Sequence, residues 1–492
     1  MSKVDGVDKA VARTVQDYID ETPYWADGTL APSSPMTAMQ WRIWVLASAG
    51  KFFEGLVVFM TGVALPLIVR EFGLGAFEKG AVSAASLFGI LVGAFALGNL
   101  ADHYGRKRMF IIEMVLFAIC LIFLICSTNY TMLVIFLFGV GLALGCDYPT
   151  AHMIISESIP SIDRGRLVLS AFAFQAVGAL FGTAIGYLIL YKNPELGAWR
   201  WMYATAIIPA IFVVIGRFHI PDSGHWLVSK GRRKEAEDAL MRLLYRKPKY
   251  PPFIKLAVPK TTDSNGDKVT PGTYLDLFRG KNIKATILAS VPWFIQDLST
   301  YGIGIFTPTI LGSVIGATSV YPRNVADLIQ NDMIAAKGAA FIDVLLIVGV
   351  ICAVMLADKV GRIKLQVFGF IGCAAGLFLA TLSMGAGPEM KIVYLFSGFM
   401  LFSFMTNIGP NAITYLIAGE VFPTKIRGKG AGFAASIAKI GAVITAFFFP
   451  FLLKDLGTEI ILYFLVGCSL LGAVVTWFFR IETSGMNLED LE

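Results

Sequence analysis

The stretch LADHYGRKR, Leu100 to Arg108, sets one acid, one glycine and three basic residues between two long apolar runs. It returns as LADKVGRIK, Leu356 to Lys364, again between apolar runs. A second pair follows in the same order and at nearly the same offset: ESIPSIDRG from Glu157 and EVFPTKIRG from Glu420. Self-similarity of this kind marks a duplicated unit. The chain therefore reads as two repeats joined by a polar segment at 221–283.

Composition identifies the medium around both repeats. Of 492 residues, 56% are hydrophobic and 15% charged, and mean hydropathy is +0.68. Globular domains usually carry about 25% charged residues. Runs of about 20 apolar residues, the length that crosses a bilayer, number twelve: 43–69, 80–101, 109–127, 131–155, 167–190, 201–220, 284–313, 335–356, 365–384, 391–416, 428–453 and 459–480. The expected architecture is an all-α polytopic membrane protein of two six-helix bundles, at 43–220 and 284–480. A segment at 1–42, the linker 221–283 with amphipathic helices, and a tail at 481–492 complete it.

Basic residues decide orientation. Arg106, Lys107 and Arg108, Arg164 and Arg166, Lys359, Arg362 and Lys364, and Lys425 and Arg427 lie in alternate loops, as does the basic linker. The positive-inside rule places these loops, the linker and both termini in the cytoplasm of a cell membrane, plasma or bacterial inner. The polar N-terminal segment shows no basic, apolar and small-residue succession, so no removable signal is expected. Topology accounts for the net charge of +6, which leaves no nucleic-acid footprint. Six cysteines without a C-x-x-C pair and four unclustered histidines predict no metal site and no cofactor. No nucleophile–base pair or nucleotide loop points to an enzyme.

The run Gly98 to Arg108 resembles the loop 2–3 signature of the major facilitator superfamily, and Asp358 to Arg362 resembles its echo in the second half. The resemblance implies alternating access. Asp102, Arg106, Glu157 and Arg164, with Asp358, Arg362, Glu420 and Arg427, are candidate gate residues: Glu157 with Arg164 and Glu420 with Arg427 would complete a latch at the cytoplasmic edge. The alternative is that they are helix caps and topology anchors. PDSGHWLVSKGRRKEAEDAL, from Pro221, resembles the P-E-S-P-R-W-L-x-x-K-G-R run of sugar porters, with Asp222, Gly224 and His225 departing from it.

Ionisable groups at bilayer depth are functional candidates by default. They are Lys51, Glu54, Glu113, Asp147, Asp297 and Lys439, with Asp343 as a weaker candidate. In WFIQDLSTYG, Trp293, Asp297 and Tyr301 recur every fourth residue and so share one helix face. GCDYPTAHMIISE around Asp147, WFIQDLSTYG, GPNAITYLIAGEVFP and AKIGA resemble words of the phosphate:proton symporter family. That resemblance implies substrate contacts from Tyr148, Gln175, Trp293, Asp297, Tyr301 and Asn411, and matches Asp147 and Lys439 to coupling positions. The family's D-S-Y-D-x-F run of span 1 is replaced by GKFFEGLVVFMTG. There Glu54 is a candidate proton relay, or else neutralises Lys51 at i, i+3; Asp147 likewise either couples or forms an ion pair with Lys439 or Lys51.

The chemistry of that set is consistent. Indole, phenol, amide and ammonium donors suit an oxyanion, and an anion beside Asp297 penalises its charged form. Proton and anion then bind together. The expected function is proton-coupled uptake of inorganic phosphate or a similar oxyanion by a monomer in the lipid bilayer. The alternative is a proton-coupled porter of an organic acid or other small metabolite. A non-transporting nutrient sensor ranks behind both, because the terminal segments are short.

Overall fold

The computed structural model describes residues 14–20, 35–97, 100–161, 164–245, 254, 256, 273–315, 325–423 and 426–483. Twelve long helices carry the described residues: α1 Ala38–Phe72, α2 Ala76–Phe95, α3 Arg106–Ile125, α4 Tyr130–Ser158, α5 Arg164–Lys192, α6 Ala198–Phe218, α7 Asn282–Ile315, α8 Val325–Val360, α9 Arg362–Gly385, α10 Met390–Glu420, α11 Arg427–Asp455 and α12 Gly457–Phe478. Eleven are long and apolar enough to cross a membrane. α7, with 34 residues, stands where the sequence predicts the seventh span. α1 starts earlier than its hydropathy suggests because Thr37 and Gln40 form a reciprocal capping box, and it ends at Gly73 in the left-handed conformation.

Packing repeats with the sequence. α1 lies on α5, α2 on α4, α3 on α4 and α6; six helices later α7 lies on α11, α8 on α10, α9 on α10 and α12. The halves meet through α2 on α11 and through α5 on α8, which are also equivalent pairs, and α1 meets α7 between them. This is a pseudo-twofold arrangement of two six-helix bundles. α3, α6, α9 and α12 carry exposed apolar side chains such as Ile119, Phe212, Phe368 and Phe464, as lipid-facing helices should.

Small residues permit the closest contacts. A Cβ at Gly178 of α5 would lie 2.0 Å from the Phe52 carbonyl oxygen of α1, and one at Gly55 would lie 2.0 Å from the Gln175 carbonyl oxygen. Backbone atoms cannot yield as a side chain can, so Gly178→Leu is expected to destabilise the N-terminal bundle by about 1–3 kcal/mol. A melt of the purified variant in detergent checks this; an unchanged midpoint would show that α1 and α5 have room to separate.

Several helices are irregular within their apolar spans. Pro149 lies inside α4, a turn at Ala173 divides α5, Pro292 precedes Trp293 in α7, and Gly409–Pro410 breaks α10 immediately before Asn411. Broken helices are tolerated in a membrane where they are buried in protein or line a cavity.

Candidate functional site

Between the halves, four ionisable side chains from α1, α7 and α11 make one buried cluster. Lys439 lies 3.1 Å from Asp297 and 3.2 Å from Glu54, and Lys51 lies 2.8 Å from Glu54. Asp297, Glu54 and Lys439 are only 1–2% exposed. The Tyr301 phenol donates to Glu54 at 2.9 Å and accepts from Lys439 at 2.7 Å and from Gln175 of α5 at 3.0 Å. Two lysines and two carboxylates balance. Asp297 and Tyr301 lie on one face of α7, as their periodicity predicts, and both reach the same ammonium group.

Aromatic rings lie on the side of the cluster toward the basic loops. Tyr415 of α10 stacks on Phe172 of α5 at 4.6 Å between centroids, and Trp293 and His152 meet Tyr415 edge-on at 6.1 and 6.0 Å. The Lys51 ammonium stands 5.5 Å from the Phe172 centroid and 6.0 Å from that of Tyr415. Trp293 therefore belongs to this wall, where rings from both halves meet. Asn411 donates to Asn407 one turn earlier on α10 at 3.0 Å. The side chains of Tyr148 and Asp102 lie outside the described residues.

Asp147 has a different partner from those its sequence position suggests. Arg217 of α6, wholly buried, lies 2.7 Å from Asp147 and 3.1 Å from Glu113 of α3. It also donates to the carbonyls of Phe110 and Leu46. This triad sits inside the N-terminal bundle. Arg217 escapes the sequence reading because a basic residue at the end of a span looks like a topology anchor.

The candidate gate residues take part in one hydrogen-bonded relay built twice. Gly105 (φ 103°) and Gly361 (φ 93°) turn the chain into α3 and α9, a conformation that suits residues without a Cβ. Asp222 accepts the Lys107 backbone N–H at 3.2 Å; Glu482 accepts those of Arg362 and Ile363 at 2.9 and 3.1 Å. An acid at a helix N-terminus is favoured by the unpaired N–H groups there. The following residue then donates onward, Ser223 to Glu157 and Thr483 to Glu420. Glu157 pairs with Arg106 at 3.3 Å; Glu420 pairs with Arg362 at 3.2 Å, and Arg362 also meets Asp358 at 2.7 Å. The contacts named here lie within one half in each case.

The sequence reading pairs Glu157 with Arg164 and Glu420 with Arg427. In the structure Arg427 donates to the Phe422 carbonyl at 3.1 Å, and Arg164 feels Glu157 and Asp20 electrostatically. The sequence reading misses Asp222–Ser223 and Glu482–Thr483, whose signal is an acid–hydroxyl pair repeated after the sixth and twelfth spans. His225 does not replace the family arginine as a cation. Burial pushes its pKa below the ordinary histidine value, against the nearby Glu157 and helped by Arg164 and Arg106, and its Nε2 has no hydrogen-bond partner among the described residues.

The model of the family described as sugar (and other) transporter matches residues 43–492. A candidate metabolite transport protein, YaaU of Escherichia coli K12, is 28% identical over 91% of this chain and 93% of its own length. A candidate inorganic phosphate transporter of Schizosaccharomyces pombe, C1683.01, is 26% identical over 93% of this chain and 88% of its own. Among solved structures, the major facilitator superfamily proton:xylose symporter XylE of E. coli, bound to 6-bromo-6-deoxy-D-glucose, superposes with a TM-score of 0.74 at 19% identity. The match covers 92% of this chain and 98% of that one. These likenesses agree with the duplicated fold.

Proposed function

The chain belongs to the sugar (and other) transporter family, a branch of the major facilitator superfamily, and from that premise we propose that it carries a small anion together with protons by alternating access. The observation that carries this reading is the balanced cluster of Lys51, Lys439, Glu54 and Asp297. Every positive charge in it is already neutralised. An anion can enter only if a carboxylate gives way, and protonation of Asp297 or Glu54 is the least costly route at this depth. Proton and anion are thereby linked. The basic loops and the duplicated relay face the cytoplasm in this reading, and opening there separates Phe172 from Tyr415.

Inorganic phosphate is the first substrate to test, because Gln175, Asp297, Tyr301 and Lys439 converge and a phosphate transporter is among the relatives. A specific feature favours an organic acid as the second reading. Aromatic faces carry negative potential, so the wall of Phe172, Trp293 and Tyr415 suits the apolar body of a carboxylate better than a fourth phosphate oxygen. Relatives that carry sugars and metabolites share the scaffold.

Labelled phosphate and a panel of labelled organic acids, offered to proteoliposomes with and without an inward proton gradient, separate the readings. Gradient-driven uptake that a protonophore abolishes is expected. Phosphate alone accumulating supports the first substrate and an organic acid alone the second. Anion uptake indifferent to the proton gradient would overturn the coupling itself.

A further inference from the structure

Asp343 stands midway along α8, away from the cluster described above. It is 5% exposed, and no cation pairs with it among the described residues. Its hydrogen bond crosses the seam between the halves: Oδ2 lies 2.9 Å from the Thr183 hydroxyl of α5. Thr183 Oγ1 is also 3.2 and 3.1 Å from the carbonyl oxygens of Ala179 and Leu180 on its own helix. α5 on α8 is one of the two helix pairs that join the bundles along their sides.

These distances serve two protonation states with the same heavy atoms. With Asp343 ionised, Thr183 donates to the carboxylate. With Asp343 protonated, the acid O–H donates to Oγ1, and Thr183 turns its own hydrogen to a helix carbonyl. The second arrangement satisfies every group without a buried charge, and a buried unpaired carboxylate costs several kcal/mol. Several titratable groups on helices packed against α8 are engaged elsewhere. Lys51, Glu54, Asp297 and Tyr301 hold one another in the central cluster; Arg362 and Glu420 pair at the basic end.

From this geometry we infer that Asp343 is a second proton-carrying site, coupled to closure of the α5–α8 seam and separate from the substrate cluster. When the halves part along the seam, water reaches the carboxylate and it ionises. When they close on Thr183, it takes up one proton, which leaves again when the seam opens on the other side. The inference rests on the symport reading only for the direction in which the proton is used; the protonation itself is a property of the resting protein.

Two measurements on Asp343→Asn test it. Asparagine still accepts the Thr183 hydrogen bond, so fold and seam are retained, but it cannot titrate. In infrared difference spectra across a pH step, the wild type is expected to show a protonated-carboxyl band that the variant lacks and that Thr183→Val shifts in frequency. A spectrum identical in wild type and variant would overturn the inference, whatever the substrate proves to be. In proteoliposomes, the variant is expected to keep substrate exchange within about twofold while the accumulation ratio falls about tenfold per pH unit of gradient, one proton fewer per cycle. An unchanged ratio would reduce Asp343 to helix–helix glue. Failure of proton-driven uptake in the wild type would refute the symport reading instead, and leave the infrared result to decide Asp343.

Discussion

Lys439→Ala is expected to lower gradient-driven uptake by at least about 100-fold while the protein still reaches the membrane. Lys439 touches Asp297, Glu54 and Tyr301 at once. Without it, one lysine, Lys51, faces two buried carboxylates, and removing one partner of a buried ion pair costs about 3–5 kcal/mol. The cluster answers by keeping a carboxylate protonated in every state, so protonation no longer reports whether an anion is bound. Anion affinity falls as well, because the ammonium that would face the substrate is gone. The control is Lys439→Ala with Asp297→Asn, which restores the charge balance of one lysine against one carboxylate. That double variant should recover stability and leave accumulation abolished. Equilibrium binding and uptake measured together check both parts; a single variant that accumulates anion like the wild type would remove Lys439 from the site.

The repeat, the twelve spans and the α7 face were legible because each is a local property of the chain. Hydropathy over twenty residues finds a span, and a four-residue period finds a face. Matching LADHYGRKR to LADKVGRIK finds the duplication. What the sequence conceals is pairing between distant helices. Glu113, Asp147 and Arg217 come from α3, α4 and α6, and nothing in their neighbouring residues says that they meet. Thr183 is a common residue in a membrane helix and gains significance only from the carboxylate 160 residues later. The gate shows an intermediate case. The acid, arginine and glycine of each relay are visible as motifs, but the contact of Glu157 with Arg106, 51 residues away, is not. The turn at Gly105 brings these two together.

Arg217→Met should be the most destabilising single change away from the buried cluster between the halves. The guanidinium has no exposed surface, neutralises Asp147 and Glu113, donates to two carbonyls, and lies 3.4 Å from the centroid of Phe110. Methionine matches much of its apolar stem but leaves two carboxylates facing each other in a dry interior. A loss of about 3–5 kcal/mol is expected, read as a large drop in the detergent melting midpoint and in folded yield. Adding Glu113→Gln and Asp147→Asn removes the stranded charges, and burial of the neutral triad should return most of the stability. A triple variant no more stable than Arg217→Met would show that the arginine acts through its backbone contacts rather than its charge. The triple variant also separates the two roles open to Asp147. If it transports with wild-type proton coupling, Asp147 is part of a structural ion triad inside the N-terminal bundle. If exchange persists while accumulation is lost, Asp147 carries a proton as well, and Arg217 is the cation that releases it.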